Sequence, residues 1–345
     1  MKNFEKIITF TVPCYNSESY MRKCIDSLLI GGDDIEIIIV DDGSTKDKTG
    51  KIADEYQKNY PNICRVIHQE NGGHGSGVNN GIKNARGKYF KVVDSDDWVD
   101  KDAYLKILKK LFEFEKNGIS IDLLIANYVY EKPSINEQTI VDFSKGLPQN
   151  RVFGWEDMGK FGPNEFFVMH TLIYRTQILW DSKVQLPKHT FYVDSIFATM
   201  PLPYVKNIYY MKENFYRYFV GRDDQSVNEK MLLKRIDQYM YVSQLICEQF
   251  KHKETMEISP KLAEYIFRLI RILSLISTVF LNMSDDKEHE KKRKAYWAMV
   301  KKNQPELYKR IRYYIGCRLV NYHGPFGKKV ARVGYKISKK ILHFN

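Results

Sequence analysis

Three carboxylates lie within four residues of one another in the stretch "KVVDSDDWVD", directly after a run of strand-forming residues. Asp94, Asp96 and Asp97 repel one another, at a cost of about 1 kcal/mol or more for each close pair near a protein surface. A divalent cation such as Mg²⁺ or Mn²⁺ removes this cost, because it binds carboxylate oxygens and completes its shell with the phosphates of a ligand. The same residues also fit a solvated loop in which Asp97 or Asp100 caps the next helix. The cluster alone leaves both interpretations open.

A second acidic pair, Asp41 and Asp42, follows the apolar run "IEIIIV". Two acidic strand ends on one edge of a sheet suit a nucleotide, since one carboxylate accepts a hydrogen bond from a base N–H while the other holds the ribose and a metal ion. The alternative is that Asp42 or Ser44 caps the following helix.

The glycine-rich stretch "NGGHGSGVNNG" imitates a dinucleotide-binding fingerprint. Gly75, Gly77 and Gly81 open a predicted helix after a strand, and Asp94 follows about 20 residues later. However, the strict GxGxxG spacing is absent, and the glycines follow the third predicted strand instead of the first. A nicotinamide-dependent enzyme is therefore disfavoured.

The elements that position these residues alternate between strand and helix over the first hundred residues. Buried, β-branched runs predict strands at 6–16, 35–45, 62–70 and 88–93, and amphipathic stretches predict helices at 17–29, 48–60 and 75–87. Apolar strands separated by helices indicate a parallel sheet covered on both faces. Ligands bind at the carboxyl ends of such strands, which here carry residues 13–16, 41–42, 71–73 and 94–97.

The next part of the chain is less regular. A helix is predicted at 104–116 and a strand at 121–130, whereas 131–165 has little periodicity and is predicted to be an insertion or a long loop. A regular apolar pattern resumes at 166–179, and from about Met231 the pattern of apolar residues is helical.

Four sequence blocks together resemble family 2 inverting glycosyltransferases of the type that builds bacterial cell-surface polysaccharides: "TVPCYNSESYMRKCIDSL", "IIIVDDGSTKDKT", "QENGGHGSGVNNGI" and "KYFKVVDSDDWVD". The resemblance covers roughly residues 6–110. It implies the GT-A nucleotide-sugar-binding fold, a Rossmann-like α/β fold with a mixed, mainly parallel sheet and helices on both faces. We expect a catalytic domain at 1–225 and a helical, basic region at 226–345.

The resemblance also implies where the nucleotide-sugar binds. The loop after the first strand packs against the base, with Tyr15 available for stacking, and Asp42, in preference to Asp41, pairs with a uracil N–H. Asp94 lies near the ribose. The implied nucleotide-sugar-binding residues are Pro13, Tyr15, Asn16, Asp42, Asn71, Gly73, Asp94, Ser95 and Arg222.

The cofactor implied by the resemblance is Mn²⁺ or Mg²⁺. Its ligand is Asp96 of the "DSD" element, with Asp97 as the alternative ligand. Many relatives carry an Arg just before the Asn of the third helix, where this chain has Val78. A phosphate contact therefore has to come from elsewhere, and Arg217 and Arg222 are candidates because a guanidinium suits paired phosphate oxygens.

Inversion needs a carboxylate that takes the proton of the acceptor hydroxyl. The resemblance places this base about 100 residues after the "DSD" element, where Asp194 stands at a predicted helix start. A helix cap by Asp194 is compatible with that role. His170 and His189 are weaker candidates for acceptor contacts, since a lone histidine is more often structural.

The net charge of +12 is concentrated in one region. From Lys291 onward the sequence has 16 Lys or Arg and one acid, Glu306. These basic residues are interleaved with aromatic and aliphatic ones, a pattern that suits anionic lipid and also suits RNA or an ordinary solvated helix face. We favour an anionic membrane surface as the partner and disfavour nucleic acid. The apolar stretch 262–283 contains charged residues and suits a buried or interfacial helix better than a spanning one.

The expected location is cytoplasmic and peripheral at the inner face of the plasma membrane. No signal-peptide pattern is visible at the N-terminus, and the five cysteines are scattered without a CxxC pair, as expected for reduced thiols.

The expected activity is transfer of a sugar from a UDP-sugar to a hydroxyl of a cell-surface glycan or lipid-linked oligosaccharide. Two alternatives remain open. A sugar nucleotidyltransferase would carry a glycine-rich, Arg-containing phosphate loop, which "TVPCYNSES" does not supply. A non-catalytic basic membrane adaptor would keep its function after Asp96→Asn.

Overall fold

The structure is a computed structural model that describes residues 4–162, 165–221, 229–283, 286–322 and 324–342. The chain divides into two compact units, Met1–Gly221 and Arg222–Asn345.

The first unit is an α/β structure. Its strands are β1 (Lys6–Cys14), β2 (Ile35–Asp41), β3 (Cys64–His68), β4 (Gly87–Val92), β5 (Trp98–Val99), β6 (Leu123–Lys132), β7 (Glu137–Val141), β8 (Val152–Phe153), β9 (Leu172–Arg175) and β10 (Ile208–Phe219). Its helices are α1 (Met21–Leu29), α2 (Thr49–Asn59), α3 (His74–Asn84), α4 (Lys101–Lys116), α5 (Thr176–Asp181) and α6 (Asp194–Thr199).

These strands form one mixed sheet in the order β3-β2-β1-β4-β9-β6-β10-β5, with β7 beside β6 and β8 beside β10. The strands β3, β2, β1 and β4 run parallel to one another, while β9 runs antiparallel between β4 and β6. Every residue of β2 is buried, as expected for a strand covered on both faces. The predicted α/β fold with a mixed sheet is confirmed.

The segment 131–165 is more ordered than its sequence indicated. Residues Glu137–Val141 form β7, which pairs antiparallel with β6, and Val152–Phe153 pair with β10. The prediction of a long loop was wrong for β7. Its five residues alternate between more and less exposed side chains, a pattern of period 2 too short to stand out from its surroundings.

Helix α3 packs directly on β1 because two of its residues lack a side chain. A Cβ atom at Gly81 would overlap the side chain of Thr11, and one at Gly77 would lie 3.1 Å from Cβ of Pro13. This close approach holds the start of α3 at the edge of the sheet where β1 ends.

The second unit is helical, as predicted. Its helices are α7 (Glu229–Lys234), α8 (Ile236–Gln249), α9 (His252–Ile258), α10 (Pro260–Met283), α11 (Lys287–Asn303), α12 (Tyr308–Arg312), α13 (Ile315–Val320) and α14 (Gly324–Leu342). By length and composition α10 is apolar enough to cross a membrane, yet 61% of its most apolar window is buried inside the structure. It packs against α8, α9, α11, α13 and α14, as a core helix does.

Candidate functional site

The loops after β1, β2, β3 and β4 meet at one edge of the sheet. Ser17 Oγ lies 3.0 Å from Ser95 Oγ, which joins the first loop to the fourth. The backbone N–H of Asn16 donates to Ser44 Oγ at 2.9 Å, which joins the first loop to the second. The sequence placed these polar strand ends together, and the contacts agree with that placement.

The loop after β1 presents one aromatic ring at this edge. The Tyr15 side chain is 47% exposed, whereas Cys14 and Ser17 on either side are buried. Asn16 has a φ of 50°, a left-handed conformation that asparagine tolerates, and its Oδ1 accepts from the backbone of Lys46 at 3.1 Å. The loop is thus fixed while the Tyr15 ring is left accessible for stacking.

The carboxylates after β2 are tied into the fold. Asp42 Oδ1 accepts from Gly72 N at 2.8 Å and from Gln69 Nε2 at 2.5 Å, and its Oδ2 accepts from Gly73 N at 2.8 Å. Asp41 accepts from Ser44 N at 3.1 Å. Because each carboxylate oxygen can accept two hydrogen bonds, Asp42 Oδ2 retains one acceptor position for a ligand.

The glycine-rich segment makes a close backbone contact with the chain that leads to Asp194. Gly73 has a φ of 80°, and a Cβ there would lie 3.0 Å from the backbone nitrogen of His189. That nitrogen donates to Gly72 O at 2.7 Å. Asn71, the remaining predicted residue of this segment, is exposed and donates through Nδ2 to Asp42 O at 2.9 Å. These glycines therefore bring the 186–189 segment against the start of α3.

Asp94 pairs with a histidine that the sequence analysis did not single out. His74 Nε2 lies 2.7 Å from Asp94 Oδ1. Burial alone would raise the pKa of Asp94, but the charge and the hydrogen bond of His74 hold that pKa below its ordinary value. Asp94 is therefore a carboxylate at neutral pH. His74 could have been identified from its place inside "NGGHGSG", because the glycines around it have no side chains.

Asp96 and Asp97 differ in their surroundings. Asp96 is half-buried, whereas Asp97 is 1% exposed and accepts from Tyr216 Oη–H at 2.6 Å and from Phe219 N at 2.8 Å. Burial, followed by the neighbouring charges of Asp96 and Asp94, raises the pKa of Asp97 well above its ordinary value. Asp97 thus holds the acidic loop to β10 while remaining under electrostatic strain.

Asp194 lies at the start of α6 and belongs to the same electrostatic environment. Burial raises its pKa, the positive charge of His74 opposes that rise, and the charge of Asp94 adds to it. The carboxylate that the sequence analysis assigned as base is therefore close enough to His74 and Asp94 to interact with both. A raised pKa favours proton acceptance at neutral pH.

His170 and Lys91 complete the buried side of the site. Lys91 is fully buried in β4 and donates through Nζ to Met169 O at 2.9 Å and to His170 O at 2.6 Å. The ring of His170 stacks on Tyr216 with the ring centroids 4.6 Å apart. Sequence reasoning did not identify Lys91, although a lysine inside the apolar run "KYFKVV" is a signal in itself.

The acidic residues fit a divalent cation. Asp94, Asp97 and His170 each offer one ligand atom, and these three atoms all lie within 4.8 Å of one another. Nδ1 of His170 is buried and has no hydrogen-bond partner. A cation would also offset the repulsion that raises the pKa of Asp97. Asp96, the ligand predicted first, is not one of these three.

Of the two arginines proposed to contact the diphosphate, the structure describes only Arg217. Arg217 is engaged within the fold, since its guanidinium donates to Asp100 Oδ2 at 2.7 Å and to Glu131 Oε1 at 3.0 Å. Arg222 lies outside the described residues.

Comparison with known proteins supports the family resemblance. Residues 9–180 match the family described as "Glycosyl transferase family 2". The uncharacterised glycosyltransferase EpsJ of Bacillus subtilis is 41% identical over 150 residues, which cover 38% of this chain and 42% of EpsJ. The poly(ribitol-phosphate) beta-glucosyltransferase of Bacillus spizizenii is 29% identical over 228 residues, covering 64% of this chain and 33% of that protein. The chain thus spans less than half the length of either relative.

A solved structure shows the same fold. The crystal structure of residues 1–349 of S. aureus TarS, in complex with UDP-GlcNAc, superposes with a TM-score of 0.64 at 19% sequence identity, covering 97% of this chain and 92% of that one. The GT-A type of α/β fold expected from the sequence is confirmed.

Proposed function

Because the chain belongs to glycosyl transferase family 2, we propose that it transfers a sugar from a UDP-sugar to a hydroxyl of a cell-surface glycan or lipid-linked oligosaccharide, with inversion and with a divalent cation. The observation that carries this proposal is the grouping of Asp94, His74 and Asp194 at the carboxyl edge of the sheet, where ligands bind in open α/β folds. We assign catalysis to residues 1–225 and acceptor or membrane association to residues 226–345.

The nucleotide is held by the loops after β1, β2 and β4. Tyr15 stacks on the base, and the remaining acceptor position of Asp42 Oδ2 takes the uracil N3–H. Asp94, kept ionised by His74, accepts from the ribose hydroxyls. The complex of S. aureus TarS with UDP-GlcNAc supports a UDP-sugar as the donor class.

Transfer needs one proton acceptor and one leaving group. The acceptor hydroxyl attacks the anomeric carbon and forms the new C–O bond, while its proton passes to the carboxylate of Asp194. The bond between the anomeric carbon and the phosphate oxygen breaks, and its electron pair leaves with the nucleotide diphosphate. Attack from the face opposite the leaving group inverts the anomeric centre.

The residues at the "DSDD" turn would hold Mn²⁺ or Mg²⁺ near this leaving group, with Asp96 and Asp97 as the ligands expected from the family. When bound, the cation neutralises charge on the departing diphosphate. The protein's own contribution is to hold the turn, which it does through the hydrogen bonds from Tyr216 and Phe219 to Asp97.

The donor site is tested by calorimetric titration of the purified chain with UDP, with and without Mn²⁺, beside Asp96→Asn. We expect UDP binding that strengthens with Mn²⁺ and loses this dependence in the variant. Failure of UDP to bind under either condition would reject the UDP assignment, and GDP and dTDP would be tried next.

The base is tested by Asp194→Asn. We expect this variant to bind UDP as the wild type does and to release UDP from UDP-sugars in the presence of acceptor about 10²–10⁴-fold more slowly. Ser195→Ala, one position along α6, is the matched control. Wild-type turnover in Asp194→Asn would remove Asp194 from the mechanism.

A second observation supports membrane association of the helical unit. On α14, Phe326, Lys329, Val333 and Lys336 recur at helical spacing and are all exposed, so that one helix face presents apolar and basic side chains together. Phe326 is 58% exposed. Such a face suits an anionic membrane surface, into which the apolar side chains insert while the lysines contact headgroups.

Sedimentation with vesicles tests this surface. We expect the chain to bind vesicles that contain phosphatidylglycerol and not those of phosphatidylcholine alone. Binding should weaken in Phe326→Ala and in Lys329→Glu/Lys336→Glu, and should persist in Tyr241→Ala, which truncates an exposed aromatic on α8. Equal binding by all variants would reject the α14 face as the contact.

A further inference from the structure

His170 lies beside the acidic turn although it is distant from that turn in sequence. It belongs to a one-turn helix, Met169–Thr171, that leads into β9. One of its ring nitrogens lies within 4.8 Å of a carboxylate oxygen of Asp94 and of one of Asp97. The sheet order explains this proximity, because β9 is the direct neighbour of β4, which ends at the acidic turn.

The His170 ring is held in place before any ligand arrives. It is 9% exposed and packs against two aromatic rings, with its centroid 4.6 Å from that of Tyr216 and 4.6 Å from that of Tyr218. Its backbone carbonyl accepts from the buried Nζ of Lys91 at 2.6 Å. A ring packed against two aromatic side chains and held at its backbone carbonyl loses little conformational entropy when it binds a ligand.

One polar atom of this ring has no partner. Nδ1 of His170 is buried and makes no hydrogen bond. Leaving a buried polar group unpaired costs about 1–3 kcal/mol, so each such group in a folded protein calls for an explanation. A bound ion that engages the imidazole and the two carboxylates gives one.

The carboxylates have room for a further ligand although both are already engaged. Asp97 uses one acceptor position on each oxygen, for Tyr216 and for Phe219, and a carboxylate oxygen has two such positions. The carboxylate of Asp94 accepts one hydrogen bond, from His74. Oxygen and nitrogen donors are thus available together.

We propose that His170 donates an imidazole nitrogen to the divalent cation of the donor site, together with carboxylate oxygens of Asp94 and Asp97. This inference rests on the proposed function, which supplies the cation. An imidazole among carboxylates shifts metal preference away from Mg²⁺ and toward first-row transition metals. The site therefore binds Mn²⁺ in preference to Mg²⁺, and His170 sets that preference.

The nitrogen is detected directly by pulsed electron paramagnetic resonance of Mn²⁺ bound to the full chain with UDP. We expect a ¹⁴N coupling in the wild type that is replaced by a ¹⁵N coupling when the histidines are labelled with ¹⁵N. The coupling should be lost in His170→Gln and retained in His74→Gln, which changes the other histidine next to Asp94.

Affinity provides a second measurement that does not depend on catalysis. The concentration of free Mn²⁺ is measured from its electron paramagnetic resonance signal in solution, and Mg²⁺ affinity is measured by competition with Mn²⁺. We expect His170→Gln to weaken Mn²⁺ binding about tenfold or more and to weaken Mg²⁺ binding much less. Circular dichroism confirms that each variant is folded. The wild-type ¹⁴N measurement is decisive even where a variant fails to fold.

Each outcome decides the proposal. A ¹⁴N coupling lost only in His170→Gln supports it. Bound Mn²⁺ without ¹⁴N coupling in the wild type, or a coupling that survives in His170→Gln, overturns it and leaves the proposed function intact. If Mn²⁺ does not bind with UDP at all, both the His170 ligand and the cation dependence in the proposed function are rejected.

Discussion

The acidic ends of β2 and β4 lie on the same edge of one sheet, but the fold uses their carboxylates differently. After β2, Asp42 accepts three hydrogen bonds from N–H groups of the chain and is 4% exposed. After β4, a carboxylate oxygen of Asp94, one of Asp97 and a ring nitrogen of His170 lie within 4.8 Å of one another. Burial, followed by the charges of Asp96 and Asp94, raises the pKa of Asp97 well above its ordinary value.

The difference shows that one strand-end carboxylate is stabilised mainly by N–H groups of the chain, whereas the carboxylates at the other strand end lie beside like charges. At the end of β2 most of the acceptor capacity is satisfied by the backbone of Gly72 and Gly73, so the carboxylate mainly stabilises a loop. At the end of β4 the like charges persist, which costs stability unless a cation is bound. The following predictions test this distinction.

The largest effect is expected for Asp42→Ala, through stability. Removing this carboxylate leaves the N–H groups of Gly72 and Gly73 and the amide of Gln69 without their acceptor, at a cost of about 3 kcal/mol or more in the free energy of unfolding. Urea unfolding followed by tryptophan fluorescence measures this, since three of the four tryptophans, Trp98, Trp155 and Trp180, lie in the first unit.

The matched control is the same Asp-to-Ala change at the end of β4. We expect Asp96→Ala to alter the free energy of unfolding by less than about 1 kcal/mol, because it relieves repulsion with Asp97 while giving up attraction to His74. If Asp96→Ala destabilises the chain as much as Asp42→Ala does, the distinction between the two strand ends is wrong.

An intermediate effect is expected from the cation itself. With UDP present and Mn²⁺ at about 100 times its dissociation constant, mass action stabilises the folded chain by about 2.7 kcal/mol. Thermal unfolding should therefore shift upward on adding Mn²⁺ and fall back on adding EDTA. Asp96→Ala should show little of this shift.

The control for this measurement is a change at the end of β2. Asp42→Asn preserves one side-chain oxygen as an acceptor and leaves the residues after β4 unchanged. It should start from a lower melting temperature and still gain from Mn²⁺. An equal gain in Asp96→Ala and the wild type would show that Asp96 is not a ligand of the cation.

Much of this site could be predicted from sequence because its evidence is local. Alternating strands and helices fix a parallel arrangement of β1 to β4, and that arrangement brings the polar residues after each strand to one edge. Tyr15, Asp42 and Asp94 were assigned to that edge from their positions alone. Residues that follow a strand can be assigned to this edge without knowing which distant residues they contact.

The partners of these residues were not predictable in the same way. Tyr216, which donates to Asp97, is 119 residues away in sequence, and His170 comes from a turn that precedes an antiparallel strand inserted next to β4. Pairings of this kind depend on which strand the sheet places beside β4, and hydrophobic periodicity does not encode that order. The histidine at 170 was accordingly weighed as an ordinary lone histidine.

The smallest effect concerns His68, which gives the β2 end a cationic partner that can be titrated. Its Nε2 lies 3.0 Å from Asp54 Oδ1 and its Nδ1 lies 3.0 Å from Asp41 Oδ2. The hydrogen bond to Asp54 raises the pKa of His68, burial opposes the rise, and Asp41 adds to it. A raised pKa in the folded chain means that protonation stabilises folding, fully below the unfolded value of about 6.5 and progressively less as pH rises through the folded value. Since the His68 side chain is 50% exposed, we expect less than about 1 kcal/mol.

Comparing the wild type with His68→Gln isolates this contribution. The difference in their free energies of unfolding should be greatest near pH 5.5 and should shrink toward pH 8.5, because neutral His68 donates to only one of its two carboxylates at a time. Asp54→Asn, which removes an exposed partner and leaves Asp41 in place, should reduce the pH-dependent difference without abolishing it. Parallel curves for the wild type and His68→Gln would mean that the charge of His68 adds nothing to stability and that Asp41 is held by hydrogen bonds alone.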